Sequence, residues 1–499
     1  GMTKTGRNKD LAAIDGKRFS MDGVMTALTV VLLLVVVVIP VVSIIYNAFF
    51  FQGHFDPKLF SSQLTDAGNL AAMWNTIKIA FWVTLLGTVV GTFYAWLLGR
   101  SDIPAKGLMR ALFNIPYMFP PFLGAMAWDL LLNGRSGYLN KLLMEVFGLS
   151  TAPVNINTLG GIVFVELSYY FPFVFMQVVS ALERMDPTLE ECARIAGAKQ
   201  MTVIRKITLP LVVPAISAGA LLILTTSLAH FGVPSILGFS QGIYTLPTKI
   251  YAVISRAGGS FEGIRQGAAL SIMLVLVVFT ALVIQKKILS SGSYDIIKGK
   301  SMRPTLIKLR GARIPLLILC IATLILIVIV PLVMIFLVSL VKAYGLPLIP
   351  ENFTFQNYKR IFAASGTIDS VKNSLFVSIA AGIICMFLGT LIAYVVQKIR
   401  PKGKEVLEVL SVLPYSLPGT VLAIGVILAW SGNILNISLY NTIWIILVAY
   451  IARYLSFSMK SSSAALLQVH PSLEEAARTC GASHMESLTD VTLPLIRPA

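Results

Sequence analysis

Two short polar segments carry charged side chains in the same order and at the same spacing. One is Asp186-Pro-Thr-Leu-Glu-Glu-Cys-Ala-Arg-Ile-Ala-Gly197, and the other is His470-Pro-Ser-Leu-Glu-Glu-Ala-Ala-Arg-Thr-Cys-Gly481. In each, the first glutamate lies four residues before the arginine, which predicts a helix with an ion pair along one face, worth about 0.2–0.5 kcal/mol. Asp186 and Pro187 suit the start of such a helix, and Gly197 suits its end. A helix this short is marginal alone in water, so we expect another protein surface to dock on it.

A second group of polar side chains lies within or at the ends of apolar stretches. A carboxylate inside a membrane is a functional candidate by default, so Glu166 heads the candidates for a translocation path. The alternative is that Glu166 pairs with Lys78 or forms a hydrogen bond between two helices. Tyrosines near the ends of spans are more often anchors at the membrane interface, and this is the alternative for the tyrosines among the candidates. The candidate path residues are Glu166, Asp129, Tyr169, Tyr170, Tyr117 and Tyr415.

The composition is that of a membrane protein. Of the 499 residues, 56% are hydrophobic and 13% are charged, whereas roughly 25% of a soluble domain is charged. The mean hydropathy is +0.81. Stretches of about 20 apolar residues can cross a bilayer. The sequence therefore predicts an all-α polytopic membrane protein with spans at 24–46, 72–98, 108–132, 158–181, 211–236, 266–288, 314–341, 373–397, 406–430 and 441–463.

The spans form two tandem modules related by duplication. The polar segments repeat at an offset of 284 residues, as from Glu191 to Glu475, and the preceding spans repeat at 298, as from Gly91 to Gly389. A complete module would have six spans, so both modules enter the membrane in the same direction and form a parallel pseudo-twofold repeat. The second has about four complete spans, and we expect the chain to be truncated before the others. The predicted domains are a first module at 1–288 with its polar loop at 183–210, a basic linker at 289–313, and a second module at 314–499 with its loop at 467–494.

The positive charge indicates topology. The net charge is +17, and Lys and Arg collect before the first span, after the second, in the linker and at 398–404. The positive-inside rule then places the N-terminus and both polar segments in the cytoplasm. Nucleic acid is not an expected partner, whereas the lipid bilayer is. Since Cys192 and Cys480 lie in these reducing loops, no disulfide is expected.

Both polar segments resemble the EAA loop of permease subunits from binding-protein-dependent ABC importers. The matching residues are Glu191-Cys-Ala193, Gly197 and Ile207-Thr-Leu-Pro210, repeated as Glu475-Ala-Ala477, Gly481 and Val491-Thr-Leu-Pro494. The resemblance covers essentially the whole chain as two fused modules, although Cys192 departs from the usual alanine. It implies that each segment is a coupling helix docked on a cytoplasmic ATPase. The residues it assigns to coupling are Glu190, Glu191, Ala193, Gly197, Leu209, Pro210, Glu474, Glu475, Ala476, Ala477, Gly481, Leu493 and Pro494.

The same resemblance implies partners and a location. No Gly-x-x-x-x-Gly-Lys-Ser/Thr phosphate loop occurs in the sequence, so we expect Mg-ATP to bind to two copies of a separate ATPase subunit and no cofactor to bind this chain. A periplasmic binding protein would deliver the substrate, with the outer loop at 237–265 as a candidate contact. The chain would be a permease rather than an enzyme, in a bacterial inner membrane.

The resemblance is greatest to ferric-iron permeases. It rests on Pro116-Tyr-Met-Phe-Pro-Pro-Phe-Leu-Gly-Ala-Met-Ala-Trp128 and Arg135-Ser-Gly-Tyr-Leu-Asn140. Ferric iron is a hard cation that prefers oxygen ligands, which the candidate path residues supply, although no metal site is firmly assigned. Thiamine, an aminophosphonate and a polyamine are alternative substrates.

Two other classes of protein remain as alternatives. An ion-coupled secondary transporter would need charges inside its spans, and these are scarce. A membrane enzyme would need a metal or nucleophile constellation, but the four histidines lack ligand spacing. His230 is expected to pack or to form a hydrogen bond rather than to bind a ligand.

Overall fold

The protein is a helical membrane protein, as the sequence predicts. The computed structural model describes residues 22–289, 306–432, 436–469, 471–482 and 486–496. Within these ranges the regular structure is helical, apart from one hairpin in which Phe50–Phe51 (β1) pairs antiparallel with His54–Phe55 (β2). Eight described helices are long and apolar enough to cross a membrane, or ten spans if each of two bent helix pairs counts as one.

The helices overlap the ten predicted spans and include the two predicted polar helices. The predicted bounds of the fifth span, 211–236, are wrong, because that helix is Gln200–Leu228 and a separate short helix follows at Gly232–Gly238. Hydrocarbon offers no hydrogen-bond partner to the backbone, so an apolar span satisfies its own amides as a helix. In chain order the helices are α1 (Asp22–Phe49), α2 (Lys58–Thr65), α3 (Ala67–Arg100), α4 (Lys106–Met118), α5 (Pro121–Leu132), α6 (Tyr138–Phe147), α7 (Leu159–Arg184), α8 (Thr188–Ile195), α9 (Gln200–Leu228), α10 (Gly232–Gly238), α11 (Leu246–Arg256), α12 (Phe261–Ile288), α13 (Arg310–Ser339), α14 (Gln356–Ala363), α15 (Ser365–Ile399), α16 (Lys404–Ser416), α17 (Gly419–Trp430), α18 (Ile443–Gln468), α19 (Pro471–Thr479) and α20 (Leu493–Ile496).

The third and ninth predicted spans are sharply bent. The axes of α4 and α5 differ by 91°, and those of α16 and α17 differ by 110°. Each break falls immediately before a proline, and the preceding residues, Phe119 and Leu417, have extended backbones with ψ of 142° and 146°. Proline clashes with a helical residue before it and donates no hydrogen bond, so Pro120 and Pro418 end the first arm of each pair.

Helix packing divides the chain into two compact units, each described by itself. The first contains Gly1–Phe60, Ile254–Ile272 and Ala364–Ala499, and the second contains Ser61–Val253 and Met273–Ala363. In the first unit α1 packs on α17 and α15 packs on α18, whereas in the second α13 packs on α5 and α3 packs on both α7 and α9. The packing units therefore cut across the sequence modules, because each leading span packs on the bent pair of the other module. The module boundaries are defined by repetition and stay a prediction.

Small residues allow close helix contacts in both units. A Cβ atom added to Gly91 in α3 would lie 2.8 Å from the carbonyl oxygen of Phe171 in α7. At Gly389, the matching position in α15, it would lie 2.8 Å from the backbone nitrogen of Met459 in α18. Small residues at such positions let the backbones of two membrane helices approach closely.

Candidate functional site

The first polar segment forms the predicted short helix, α8. The carboxylate of Asp186 accepts hydrogen bonds from the backbone N–H of Thr188 at 2.9 Å and from its hydroxyl at 2.7 Å. These bonds stabilise the ionised form and lower the pKa of Asp186 below its ordinary value of 3.8. Gly197 follows the helix with a φ of +86°, a conformation that glycine adopts without strain. Asp186 and Gly197 thus flank the helix as predicted.

The second copy forms α19. Gly481 has a φ of +96°, so this segment ends in the same way as the first. His470, which replaces the capping aspartate, lies outside the described residues, and so does the side chain of Arg478.

The predicted ion pair between Glu190 and Arg194 is wrong. The Glu190 carboxylate is buried, and it lies 3.1 Å from Nε of Arg100, at the end of α3. Thr208 in α9 donates its hydroxyl to the other oxygen of Glu190 at 2.5 Å. A buried carboxylate needs a cation and full hydrogen bonding, and Arg100 together with Thr208 supplies both.

Glu474 makes matching contacts in the second copy. Nζ of Lys398, in the last turn of α15, lies 3.2 Å from the Glu474 carboxylate. The Thr492 hydroxyl donates to the same carboxylate at 2.7 Å. Glu474 is therefore held by a lysine distant in sequence, where the spacing predicts Arg478.

The remaining residues assigned to coupling lie around this anchored core. Ala193 and Glu191 are partly exposed, and Glu475 and Ala476 are exposed. Leu209 and Pro210 continue α9 after a π-helical turn at Ile204–Thr208, while Leu493 and Pro494 follow a π-helical turn at Ser487–Thr492. A π turn shifts the hydrogen-bond pattern where proline cannot donate. Ala477 is partly exposed. Gly197 and Gly481 follow the two short helices with positive φ angles.

Apolar side chains are exposed at both short helices. Ile195, at the end of α8, is 87% exposed, and Met201, near the start of α9, is 65% exposed. Leu473 in α19 is 46% exposed. Nε and Nη2 of Arg194 are buried atoms without a hydrogen-bond partner among the described residues. Exposed large apolar side chains suit contact with another protein.

Glu166 is fully buried between α7 and α9. Its carboxylate accepts a hydrogen bond from Ser227 at 2.5 Å and lies 2.9 Å from Nδ1 of His230. Lys78 is exposed, and the structure gives it no contact with Glu166. The hydrogen-bonded alternative is therefore the observed one, and the expectation that His230 forms a hydrogen bond is confirmed.

The other candidate path residues are dispersed. Asp129 accepts hydrogen bonds from the side-chain amides of Asn133 at 3.0 Å and Asn157 at 2.8 Å. Tyr169 and Tyr170 are buried, and the Tyr170 ring packs edge-on against His230. Tyr117 is 54% exposed and Tyr415 is 42% exposed. Among the described residues, no three His, Cys, Asp or Glu side chains are grouped as a metal site.

One charged span residue escaped the sequence reasoning. Arg453 lies within α18, and its guanidinium donates to the carbonyl oxygens of Pro414, at 3.1 Å, and Leu417. It also lies over the Tyr415 ring, with 5.1 Å between the guanidinium carbon and the ring centroid. These carbonyls are released where the helix breaks before Pro418. An arginine inside a span, next to a proline-broken helix, was the signal that could have found it.

The duplicated spans, the paired bent helices and the two anchored polar helices define a helical membrane permease built from two modules. A family model described as "Binding-protein-dependent transport system inner membrane component" matches residues 80–291 and 386–499. These ranges exceed half of the chain, and the protein belongs to this family. It is therefore a double-module permease of an ABC importer.

Individual relatives differ in the substrates they are named for. The ferric transport system permease protein FbpB of Actinobacillus pleuropneumoniae is 26% identical over 493 residues, which are 98% of this chain and 70% of that protein. The molybdenum transport system permease protein ModB of Escherichia coli is 31% identical over 208 residues, which are 40% of this chain and 86% of that protein. A chain of a solved bacterial alginate ABC transporter is 19% identical, with a TM-score of 0.43, and aligns over 56% of this chain and 98% of its own length.

Proposed function

We propose that this permease imports ferric iron, delivered by a periplasmic binding protein and driven by two copies of a cytoplasmic ATPase. The observation that carries the proposal is the pair of short helices, α8 and α19, each held through a glutamate that is paired with a cation from an earlier span. Two matched docking helices suit two matched ATPase subunits. The family membership supports the binding-protein route, and the relative named for ferric transport aligns with nearly the whole chain.

The exposed side of the first docking helix supports a protein partner on that side. Ile195 at the end of α8 and Met201 in the first turn of α9 offer apolar surface there. Exposed apolar side chains of this size suit contact with another protein. In this proposal Mg-ATP binds to the ATPase, and the N-terminus and both docking helices are cytoplasmic.

The ATPase contact has a direct test, because each docking segment carries a native cysteine. Cys192 and Cys480 are exposed thiols, whereas Cys320 and Cys385 are buried in spans. A heterobifunctional reagent, with its thiol-reactive end on these cysteines and a photoactivatable end, should join the ATPase to the permease through both exposed cysteines when the assembled importer is illuminated. Serine at position 192 or 480 should remove one adduct each. Undiminished adducts in the double serine variant would contradict docking at these helices.

Ferric iron is favoured over other substrates by sequence coverage. The relative named for molybdenum transport aligns with 40% of the chain, whereas the one named for ferric transport aligns with 98%. Carboxylate and phenol oxygens at Asp129, Tyr117 and Tyr415 are chemically suited to a hard cation. Molybdate, thiamine, an aminophosphonate and a polyamine are the competing substrates.

The substrate test is uptake into proteoliposomes that hold the full-length permease, its ATPase and its cognate binding protein. Radioactive ferric iron should accumulate only with ATP inside, and the competing substrates in tenfold excess should leave uptake unchanged. Uptake that persists without ATP but collapses with an ionophore would indicate an ion-coupled transporter. Uptake of a competing substrate without iron uptake would keep the importer and discard ferric iron.

A further inference from the structure

The first glutamates of the two docking helices, Glu190 and Glu474, belong to one cluster that occurs twice, here termed the carboxylate clamp. Each clamp contains a glutamate from the docking helix, a cation from the last turn of an earlier span, and a threonine from the helical segment that follows the docking helix. The glutamate and the threonine repeat at an offset of 284 residues, and the cation repeats at 298. The clamps are therefore equivalent parts of the duplication: Glu190, Arg100 and Thr208 in one, and Glu474, Lys398 and Thr492 in the other.

The cation of each clamp also contacts the chain where the preceding span ends. Nη2 of Arg100 donates to the carbonyl oxygen of Leu182 at 2.9 Å, in the last turn of α7. Nζ of Lys398 lies 3.4 Å from the carbonyl oxygen of Val469, directly after α18. Each clamp thus joins four elements: two spans that end there, the docking helix, and the helical segment that follows it. That segment is the span α9 in one clamp and the helical turns at 487–496 in the other.

Stability alone is a weak reason for such a cluster. The Arg100 and Glu190 side chains are 1% and 4% exposed, and those of Lys398 and Glu474 are 14% and 15% exposed. Burying an ion pair costs desolvation that the attraction only partly offsets, and apolar replacements are often equally stable. A buried pair does fix geometry, because neither partner can leave without stranding the other.

We propose that the two carboxylate clamps position the docking helices, so that a displacement imposed on a helix is passed to the two spans that end at its clamp and to the helical segment that follows it. The transmission step rests on the proposed function, because the ATPase is the source of the displacement. Glu190 and Glu474 are positioning residues directed into this chain. Arg100, Thr208, Lys398 and Thr492 hold them in place.

The first test measures the clamps without any partner. Amide hydrogen exchange of the full-length permease should show the peptide over α8 exchanging at least tenfold faster in Glu190→Gln. The α19 peptide should be unaffected, and the reverse should hold for Glu474→Gln. Glu405→Gln, which alters an exposed carboxylate at the start of α16, is the matched control and should change neither peptide. Unchanged exchange of α8 in Glu190→Gln would overturn the proposal.

The second test asks whether the clamps transmit motion or only hold the fold together. Glu190→Gln should lower substrate uptake per ATP hydrolysed at least fivefold. Arg100→Lys should remain within twofold of the unaltered importer, because lysine fills this place in the other clamp. The double variant Glu190→Gln with Arg100→Met removes both buried charges, so it should regain thermal stability while uptake per ATP stays low.

The double variant separates the two explanations. Recovery of both stability and coupling there would overturn a positioning role, whereas stability without coupling supports it. If the unaltered importer takes up no ferric iron, the proposed substrate fails, and the exchange measurements alone decide whether the clamps hold the docking helices.

Discussion

At the scale of single residues, Glu166 places a carboxylate in the interior of a helix bundle. Ser227 and His230 are hydrogen-bonded to it there, and Glu166 itself is fully buried. Removing a carboxylate from such a network leaves its partners without hydrogen bonds, at a cost of about 1–3 kcal/mol. The network therefore binds α7 to α9 whether or not substrate passes close to it.

Glu166→Leu should accordingly lower the thermal stability of the purified permease, and Glu166→Gln should lower it less, since glutamine still accepts a hydrogen bond. Thermal unfolding in detergent, followed by tryptophan fluorescence, measures the difference. Lys78→Met alters the exposed residue that does not contact Glu166, and it should unfold like the unaltered protein. Equal unfolding temperatures for Glu166→Leu and Lys78→Met would contradict the network.

A second prediction at this scale concerns Arg453. Its guanidinium satisfies carbonyls freed by the helix break at Pro414–Leu417, so Arg453→Leu should leave them without this donor and destabilise α16 and α17 by about 1–3 kcal/mol. Arg453→Lys keeps one donor and should lose less. Lys460→Met, an exposed change in the same helix, is the control. If Arg453→Leu unfolds at the same temperature as the control, the arginine does not support the break.

At the scale of elements, α15 offers a matched pair of glycines. A Cβ atom on Gly389 would meet the backbone of Met459 at 2.8 Å, whereas one on Gly382 would meet nothing within 4 Å. Gly389→Ala should therefore cost roughly 1–3 kcal/mol through overpacking. Gly382→Ala should be neutral or slightly stabilising because alanine favours helix. Comparing their unfolding temperatures tests whether α15 and α18 are in such close contact, and equal values would show that they are not.

Much of the element order was predictable, because apolar stretches of spanning length have few alternatives to helix. The bends were not predicted, although Pro120 and Pro418 occur at matching places in the two modules. The local rule of pairing at four residues failed for Glu190, since Arg100 lies 90 residues away and is buried with it. The matching offset of Arg100 and Lys398 was visible in the sequence, but both were interpreted only as topology signals.

At the scale of the whole molecule, the packing units could not be read from the sequence. The sequence repeat shows which segments of the two modules correspond to each other, but it does not show which helices pack together. In the described residues α1 packs on α17, and α13 packs on α5, so each leading span packs on an element of the other module. Separately expressed modules would each lack one packing partner, and this explains physically why a fused chain suits the fold.

The central claim is that this permease is driven through its two docking helices, and the partly exposed Glu191 and the exposed Glu475 test it most directly. ATP-dependent uptake should be measured in proteoliposomes for Glu191→Ala, Glu475→Ala and the double variant, with Glu405→Gln as control. The account predicts partial loss in each single variant, at least tenfold loss in the double variant, and normal uptake in the control. Uptake retained by the double variant, with the ATPase still bound, would contradict it.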